Sequence, residues 1–184
     1  RQTPTTFWTS EDNVMKGLSA VYNPFRRMTS GYYGGLEGIM HLQMRGDDLY
    51  PTRGEEPYIW EYLSFVNTTN TKDLSWGNIY EGIQMANEFI YRAATVDMDE
   101  TKREQMIGEA YFLRGFWYFR LRTDYRDAVI RTLPQDADPE THGLSSGDEV
   151  LEQAISDFKE AKSRLPKLRS SDENGRVTQG AAIA

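Results

Sequence analysis

The sequence predicts a mostly α-helical fold of stacked helical hairpins, broken by one long irregular excursion. Three observations lead there. Residues 109–125, EAYFLRGFWYFRLRTDY, place seven aromatics in seventeen positions. Elsewhere apolar residues recur at spacings of three and four, the period of a helix face. Capping signals fall where those runs begin and end.

Taken in order, Ser10 is positioned as an N-cap, with Glu11 and Asp12 in the first turn favouring the helix dipole. Val14, Leu18, Val21 and Phe25 then form a stripe, and Pro24 interrupts or ends that helix. A second helix is expected from about Leu36 to Met44. Residues 46–73, with Gly46, Pro51, Gly54 and Pro57, read as the irregular excursion. Trp76, Tyr80, Ile83, Asn87 and Ile90 make the stripe of a third helix, in which Asn87 reads as a satisfied structural amide.

The fourth helix covers residues 100–125. From 110 to 121 its apolar positions run almost all the way round, as in a buried helix. Arg114 and Arg120 fall inside that run, which argues against a membrane span of roughly 20 apolar residues. The expectation is the central helix of a soluble helical core, whose arginines find partners inside it. Glu109 and Arg114 are expected to form a buried ion pair or cap that holds helices in register.

A Pro- and Asp-rich loop follows at 132–143. Ser146 and Glu149 then match the S-x-x-E capping box. Leu151, Ile155, Phe158, Ala161 and Leu165 line one face of a fifth helix, closed by Pro166. A last helix is expected to begin after Gly175. It runs into Ala184 without a Gly or Asn cap, a basic last turn or a polar tail, so the expectation is the first part of a longer protein. Consecutive amphipathic helices of this length suggest tetratricopeptide-like hairpins, although no clean 34-residue self-similarity is present.

Composition narrows the function classes. A chain of 184 residues suits one domain with a real core. The net charge of −7 argues against a nucleic-acid partner. With no cysteine there is neither a disulfide framework nor a thiolate metal site. His41 and His142 have no i, i+4 histidine partner, and no nucleophile elbow, P-loop or dinucleotide fingerprint occurs. No catalytic residue, metal ligand or cofactor is assigned. Asp136, Asp138 and Glu140 alternate as calcium ligands do, a pattern commoner in a solvated loop.

Six segments together resemble a family. Thr6-Phe7-Trp8-Thr9 with Glu11-Asp12 resembles its entry into the first helix, and Gly46-Asp47-Asp48 its acidic turn. Trp76, Tyr80, Ile83, Ala86-Asn87 and Ile90 resemble its W-x3-Y-x2-I-x2-AN-x2-I helix. Glu109-Ala110, Leu113-Arg114 and Tyr118-Phe119-x-Leu121 resemble its E-A-x2-L-R-A-x3-F/Y-x-L signature. Ile155, Asp157, Phe158, Ala161, Leu165 and Pro166 resemble I-x-D-L-x-x-A-x-x-x-L-P, and Gly175-Arg176-Val177-Thr178 resembles G-R-A-T. In this order the motifs are similar to the N-terminal part of the SusD/RagB family of Bacteroidetes outer-membrane lipoproteins. Two departures stand out: Gly115 where the family usually has Ala, and Arg126 where a Tyr-Gly-Asp-x-Pro turn usually has Gly.

The resemblance implies a SusD-like fold and a binding protein rather than an enzyme. Such a protein sits at the cell surface on the outer membrane, held only by a lipid anchor upstream of Arg1. It captures a glycan or oligosaccharide and hands it to a SusC-like TonB-dependent transporter. A peptide-binding uptake protein, or a tetratricopeptide-like adaptor that binds no sugar, is the alternative. Glycan sites combine aromatic faces with hydrogen-bonding side chains, often on loops. In the 46–70 excursion the implied ligand-binding residues are Asp48, Arg53, Tyr58 and Trp60, with Tyr62 behind them. Trp60 and Tyr62 equally suit a role covering the helical core, and Asp47 suits a turn cap.

Overall fold

The computed structural model describes residues 7–25, Gly46 and residues 76–184. Among them the α-helices are α1 (Glu11–Tyr22), α2 (Trp76–Ala93), α3 (Glu100–Asp124), α4 (Gly147–Arg164) and the short α5 (Gln179–Ile183). The fold is mostly α, in line with the sequence. The expected second helix at 36–44 and most of the 46–73 excursion lie outside the described residues. The chain divides into two compact units, residues 1–22 with 80–184, and residues 23–79. In the second unit the described residues are the 3-10 turn Asn23–Phe25, Gly46 and the start of α2.

In the first unit, α1 is capped as expected. The Ser10 carbonyl accepts from Val14 N at 3.0 Å and its hydroxyl from Asn13 N at 3.4 Å. Val14, Leu18 and Val21 are buried. Gly17 has a specific reason to lack a side chain: a Cβ there would stand 2.5 Å from the Trp8 ring. That indole also meets Phe89 of α2 edge to face, with centroids 5.7 Å apart.

On α2, Ile83, Ala86, Asn87, Phe89 and Ala93 are buried, while Trp76 and Ile90 are only half-buried. The buried face is therefore wider than the predicted stripe, and shifted toward Ala86 and Phe89. Gly82 lies against the Trp117 indole, where a Cβ would come within 2.2 Å of Nε1.

The α3 helix is the centre of this unit. Asp99 caps it, its carboxylate accepting from Lys102 N at 2.8 Å. Met106, Ile107, Ala110, Leu113, Trp117, Tyr118 and Leu121 are buried, whereas Phe119 is exposed. Each large apolar side chain fully buried here contributes about 1.5–3 kcal/mol. Arg120 pairs with Asp124 one turn on, at 2.8 Å.

Two glycines one heptad apart let α4 approach closely. A Cβ on Gly108 would meet Arg164 Cβ at 2.8 Å, and one on Gly115 would meet Ala154 O and Asp157 Cβ at 3.0 Å. The helix propensity lost at Gly115, about 1 kcal/mol, is offset by this contact. On α4 the capping box is present, with Ser146 and Glu149 bonded reciprocally.

The α4 core face corrects the expectation. Gly147, Val150, Ala154, Asp157 and Ala161 are buried, with Leu165 just beyond the helix end. Ile155 is 43% exposed, and Leu151 and Phe158 are half-buried. The true face is turned by about one residue. Alanines and a neutralised aspartate occupy it, because α3 comes too close for larger side chains.

The last helix also starts later than predicted, at Gln179 after Thr178. Gly175 adopts φ +91°. Val177 N donates to the Tyr22 hydroxyl at 3.2 Å, and Val177 O accepts from Arg169 Nε and Nη2 at 3.0 Å. With its peptide groups engaged by side chains, Val177 cannot join a helical ladder.

Candidate functional site

Two buried charge networks radiate from α3. In the first, the Glu109 carboxylate is fully buried. Its Oε1 accepts from Arg169 Nη2 at 2.8 Å and from Arg176 Nη2, while Oε2 accepts from the Tyr22 hydroxyl at 2.6 Å and Arg176 Nε at 3.1 Å. Glu173 pairs with Arg176 and stands 3.6 Å from Arg169 Nη1. One carboxylate thus gathers α1, α3 and the 169–177 turn. Burial, with the Glu109 charge beside it, pushes the Tyr22 phenol well above its usual range.

In the second network, Arg114 grips Asp157 of α4 bidentately, Nε to Oδ2 at 2.8 Å and Nη2 to Oδ1 at 2.7 Å. Its Nη1 donates to Asn87 Oδ1 at 2.8 Å and Thr132 O at 3.0 Å. Burial pushes the Asp157 carboxyl up while the guanidinium pulls it down, and the net direction is upward. Glu109 and Arg114 are therefore both ion-paired and buried, but not to one another. They sit on one helix five residues apart and reach separate partners. Asn87 is the satisfied amide expected of it.

The same side chains hold an irregular strap, residues 128–133. The Tyr80 hydroxyl donates to Val129 O and accepts from Val129 N, both at 2.8 Å. Tyr118 does likewise at Arg131, donating to O at 2.5 Å and accepting from N at 2.8 Å. Asn87 Nδ2 donates to Arg131 O at 2.9 Å and Leu133 O at 3.3 Å. Bonding at 129, 131 and 133 follows the period of a strand, with side chains in place of a neighbouring strand. A bridge between Ala128 and Ser145 closes the base of the loop. Burial holds the Tyr118 phenol well above its usual range.

The turn entering the strap resolves the Arg126 departure. Arg126 adopts φ +70°, a backbone conformation favouring glycine. The turn takes a left-handed residue there although the side chain is arginine. The Asp127 carboxylate accepts from Gly147 N at 2.8 Å, joining the turn to the start of α4.

The calcium pattern at 136–140 has other partners. Asp136 pairs with Arg92, at 2.5 Å, and Asp138 Oδ2 lies 2.7 Å from His142 Nε2. Arg131 Nη2 donates to the carbonyls of Asp138 and Glu140. Among the described residues no group of three or more acidic or histidine side chains could hold a metal ion. Nor, among them, is any helix long and apolar enough to cross a membrane.

The candidate ligand residues Asp48, Arg53, Tyr58, Trp60 and Tyr62 all lie outside the described residues. The structure therefore supplies no geometry for them. Sequence reasoning missed Tyr22, Arg169 and Arg176 as partners of Glu109. Their separation in the chain leaves no periodic signal, and only the Gly-Arg-Val-Thr motif marks Arg176.

Residues 43–184 match the SusD-like family described as starch-binding and associating with the outer membrane. SusD-like protein P38 of Formosa agariphila is 26% identical over 170 residues, covering 89% of this chain and 32% of that protein. A second protein of that organism, SusD-like protein P2, is 26% identical over 83% of this chain and 31% of its own length. Among solved structures, a laminarin-binding SusD-like protein aligns with TM-score 0.81 and 26% identity, over 95% of this chain and 38% of its own. A SusD superfamily protein from Bacteroides vulgatus aligns with TM-score 0.80 and 26% identity, over 96% and 38%. The chain spans about a third of the length of the curated relatives it matches. With the family pattern covering residues 43–184 and the fold shared along almost its whole length, the chain belongs to the SusD-like family.

Proposed function

We propose that this chain is the N-terminal, tetratricopeptide-like helical part of a larger cell-surface glycan-binding protein. That protein captures oligosaccharide and passes it to a SusC-like TonB-dependent transporter. It is a binding protein and not an enzyme, anchored to the outer membrane by a lipid upstream of Arg1. The observation that carries this reading is the family match over residues 43–184, whose description is of starch binding and outer-membrane association. The fold shared with a laminarin-binding protein supports it.

Within the chain, the binding platform is the segment holding Asp48, Arg53, Tyr58, Trp60 and Tyr62. Its aromatic rings stack on sugar C–H faces while the acidic and guanidinium groups hold hydroxyls. The segment precedes α2 in the chain, and α2 is tied to the strap through Tyr80 and Asn87.

The test is a glycan panel against the full-length protein, by affinity electrophoresis and calorimetry, with Trp60→Ala in parallel. Binding that falls at least about tenfold in the mutant, a loss of about 1.4 kcal/mol, supports both function and site. Binding unchanged in Trp60→Ala keeps the function and removes the platform from this segment. No binding to any glycan, with retention of a peptide, replaces the reading by the peptide-uptake alternative.

A further inference from the structure

We infer that Asn174 is a site of spontaneous deamidation, and that the isoaspartate formed there loosens the buried Glu109 network. The inference is independent of the glycan reading. Of the seven asparagines in the sequence, Asn174 alone precedes a glycine. Deamidation begins when the backbone nitrogen of the next residue attacks the side-chain amide carbon, and glycine leaves that nitrogen unshielded by a Cβ. The other asparagines lack this opening. Pro24 after Asn23 has no N–H, and Asn67 and Asn70 precede β-branched threonines. Asn13, Asn78 and Asn87 are held on α-helices.

The structure leaves the reacting atoms open. Asn174 and Gly175 are both exposed. Among the described residues, neither the Asn174 amide nor the Gly175 N–H makes a hydrogen bond. Gly175 sits at φ +91°, and a Cβ there would meet nothing within 4 Å. Ring closure requires rotation about the Asn174 Cα–C bond, away from its ψ of 135°. The short-range backbone bond across that rotation runs from Arg176 N to Glu173 O at 3.1 Å. Breaking a single bond of this kind slows the reaction about two- to tenfold relative to a free peptide.

The chemistry needs only water. Gly175 N bonds to Asn174 Cγ and loses its proton, while Nδ2 leaves as ammonia, closing a succinimide. Water then opens the ring at one of its two carbonyls. Attack at Cγ gives aspartate on an unchanged backbone. Attack at the Asn174 backbone carbon gives isoaspartate, in which the chain runs through Cβ and Cγ and is one carbon longer.

That extra carbon falls between two residues whose spacing matters. Arg176 donates to the buried Glu109 carboxylate through Nη2 and, at 3.1 Å, through Nε, and also pairs with Glu173. Next to it, Val177 N donates to the Tyr22 hydroxyl at 3.2 Å. A longer backbone at 174 puts these contacts out of register, whereas aspartate adds only an exposed charge.

The full-length protein is aged at mildly alkaline pH and digested with trypsin. The peptide Ser170–Arg176 is followed by mass spectrometry, and isoaspartate is scored by enzymatic methylation. A synthetic peptide of the same sequence gives the unconstrained rate. The expected result is a one-dalton gain in that peptide, at no less than about a tenth of the free-peptide rate, with isoaspartate among the products. Asn174→Gln is expected to abolish it. The isoaspartate fraction, separated by anion exchange, is expected to unfold at a lower temperature than Asn174→Asp, which carries the charge on an unlengthened backbone. A rate more than about a hundredfold below the free peptide, or no faster than at Asn67 and Asn70, overturns the site. An isoaspartate fraction as heat-stable as Asn174→Asp overturns its link to the Glu109 network.

Discussion

Replacing Asp157 by asparagine tests the packing of α3 against α4 at its most exposed assumption, the buried ion pair. The change preserves shape and removes one charge. Side-chain exposure is 5% for Arg114 and 2% for Asp157, so the guanidinium left behind stays desolvated. Of the two short bonds to Asp157, at 2.8 and 2.7 Å, an asparagine can accept only one, and its amide N–H₂ is turned on the other donor. Gln153 Nε2, 3.1 Å from Asp157 Oδ1, competes for the same remaining oxygen. Removing one partner of a buried pair costs about 3–5 kcal/mol. The bonds of Arg114 to Asn87 and Thr132 survive, which places the expected loss near the lower end, about 3 kcal/mol. That is roughly a hundredfold in the folding equilibrium. Denaturant unfolding of Asp157→Asn, Arg114→Met and the double variant reads it directly. The double variant is expected to be clearly less destabilised than the sum of the two single changes, because each removes the same interaction. A single-mutant loss below about 1 kcal/mol, the range of solvent-exposed pairs, together with additive effects, would refute the claim that this pair is desolvated and shared between the helices.

Gly115→Ala is expected to lose about 1–3 kcal/mol through the 3.0 Å approaches to Ala154 O and Asp157 Cβ. Gly77→Ala, where a Cβ meets nothing within 4 Å, gains up to about 1 kcal/mol from helix propensity; thermal unfolding of the two separates contact from propensity. Arg126→Gly is expected to stabilise by about 0.5–1 kcal/mol, since the residue already sits at φ +70°. A loss on calorimetric unfolding would mean that the arginine side chain holds the turn. Alkaline stability follows from the two buried phenols. Their folded-state pKa values lie above the ordinary 10.0, so the unfolded chain releases those protons first. Their contribution is complete below pH 10 and is lost as pH rises from there toward the folded values. Urea unfolding across pH 9–11 should show that decline, shallower in Tyr118→Phe, and ultraviolet titration should show the two phenols ionising late.

Much of the helical architecture is legible in the sequence because caps and large apolar residues mark it. Ser10 and the Ser146–Glu149 box both sit at true helix starts, and the fourth helix begins at Glu100, where the sequence places it. Gly115 is legible as a point of close approach, since only a facing helix compensates a mid-helix glycine. The face of α4 misleads for the same physical reason: where helices come closest, alanine and glycine carry the contact, and a hydrophobicity pattern follows Leu151 and Ile155 instead. Asp157 lies off the predicted apolar face, and nothing near it in the chain marks its Arg114 partner 43 residues away. Glu109 is legible as buried, from its place beside the aromatic run, but not in its pairing. Its arginines arrive from 60 and 67 residues downstream on irregular backbone. The candidate ligand residues rest on family likeness alone, because an irregular segment has no periodicity to mark which rings face outward.

The strap at 128–133 is held by its peptide groups, and the residues doing the holding are on other segments. Responsibility for its path is therefore displaced: the strap's own letters can drift while its course persists. Val129, Arg131 and Leu133 can be exchanged for many residues without disturbing bonds made by their N–H and C=O groups. Tyr80, Asn87 and Tyr118 have no such latitude, since each contributes a side-chain hydroxyl or amide at a fixed reach. A proline at 129 or 131 is the exception on the strap side, because it deletes the donor that a tyrosine oxygen accepts. In a library randomising residues 129–133, the surviving sequences should be diverse except for the absence of proline at 129 and 131 and a cost at 131 for losing the guanidinium's bonds to the Asp138 and Glu140 carbonyls.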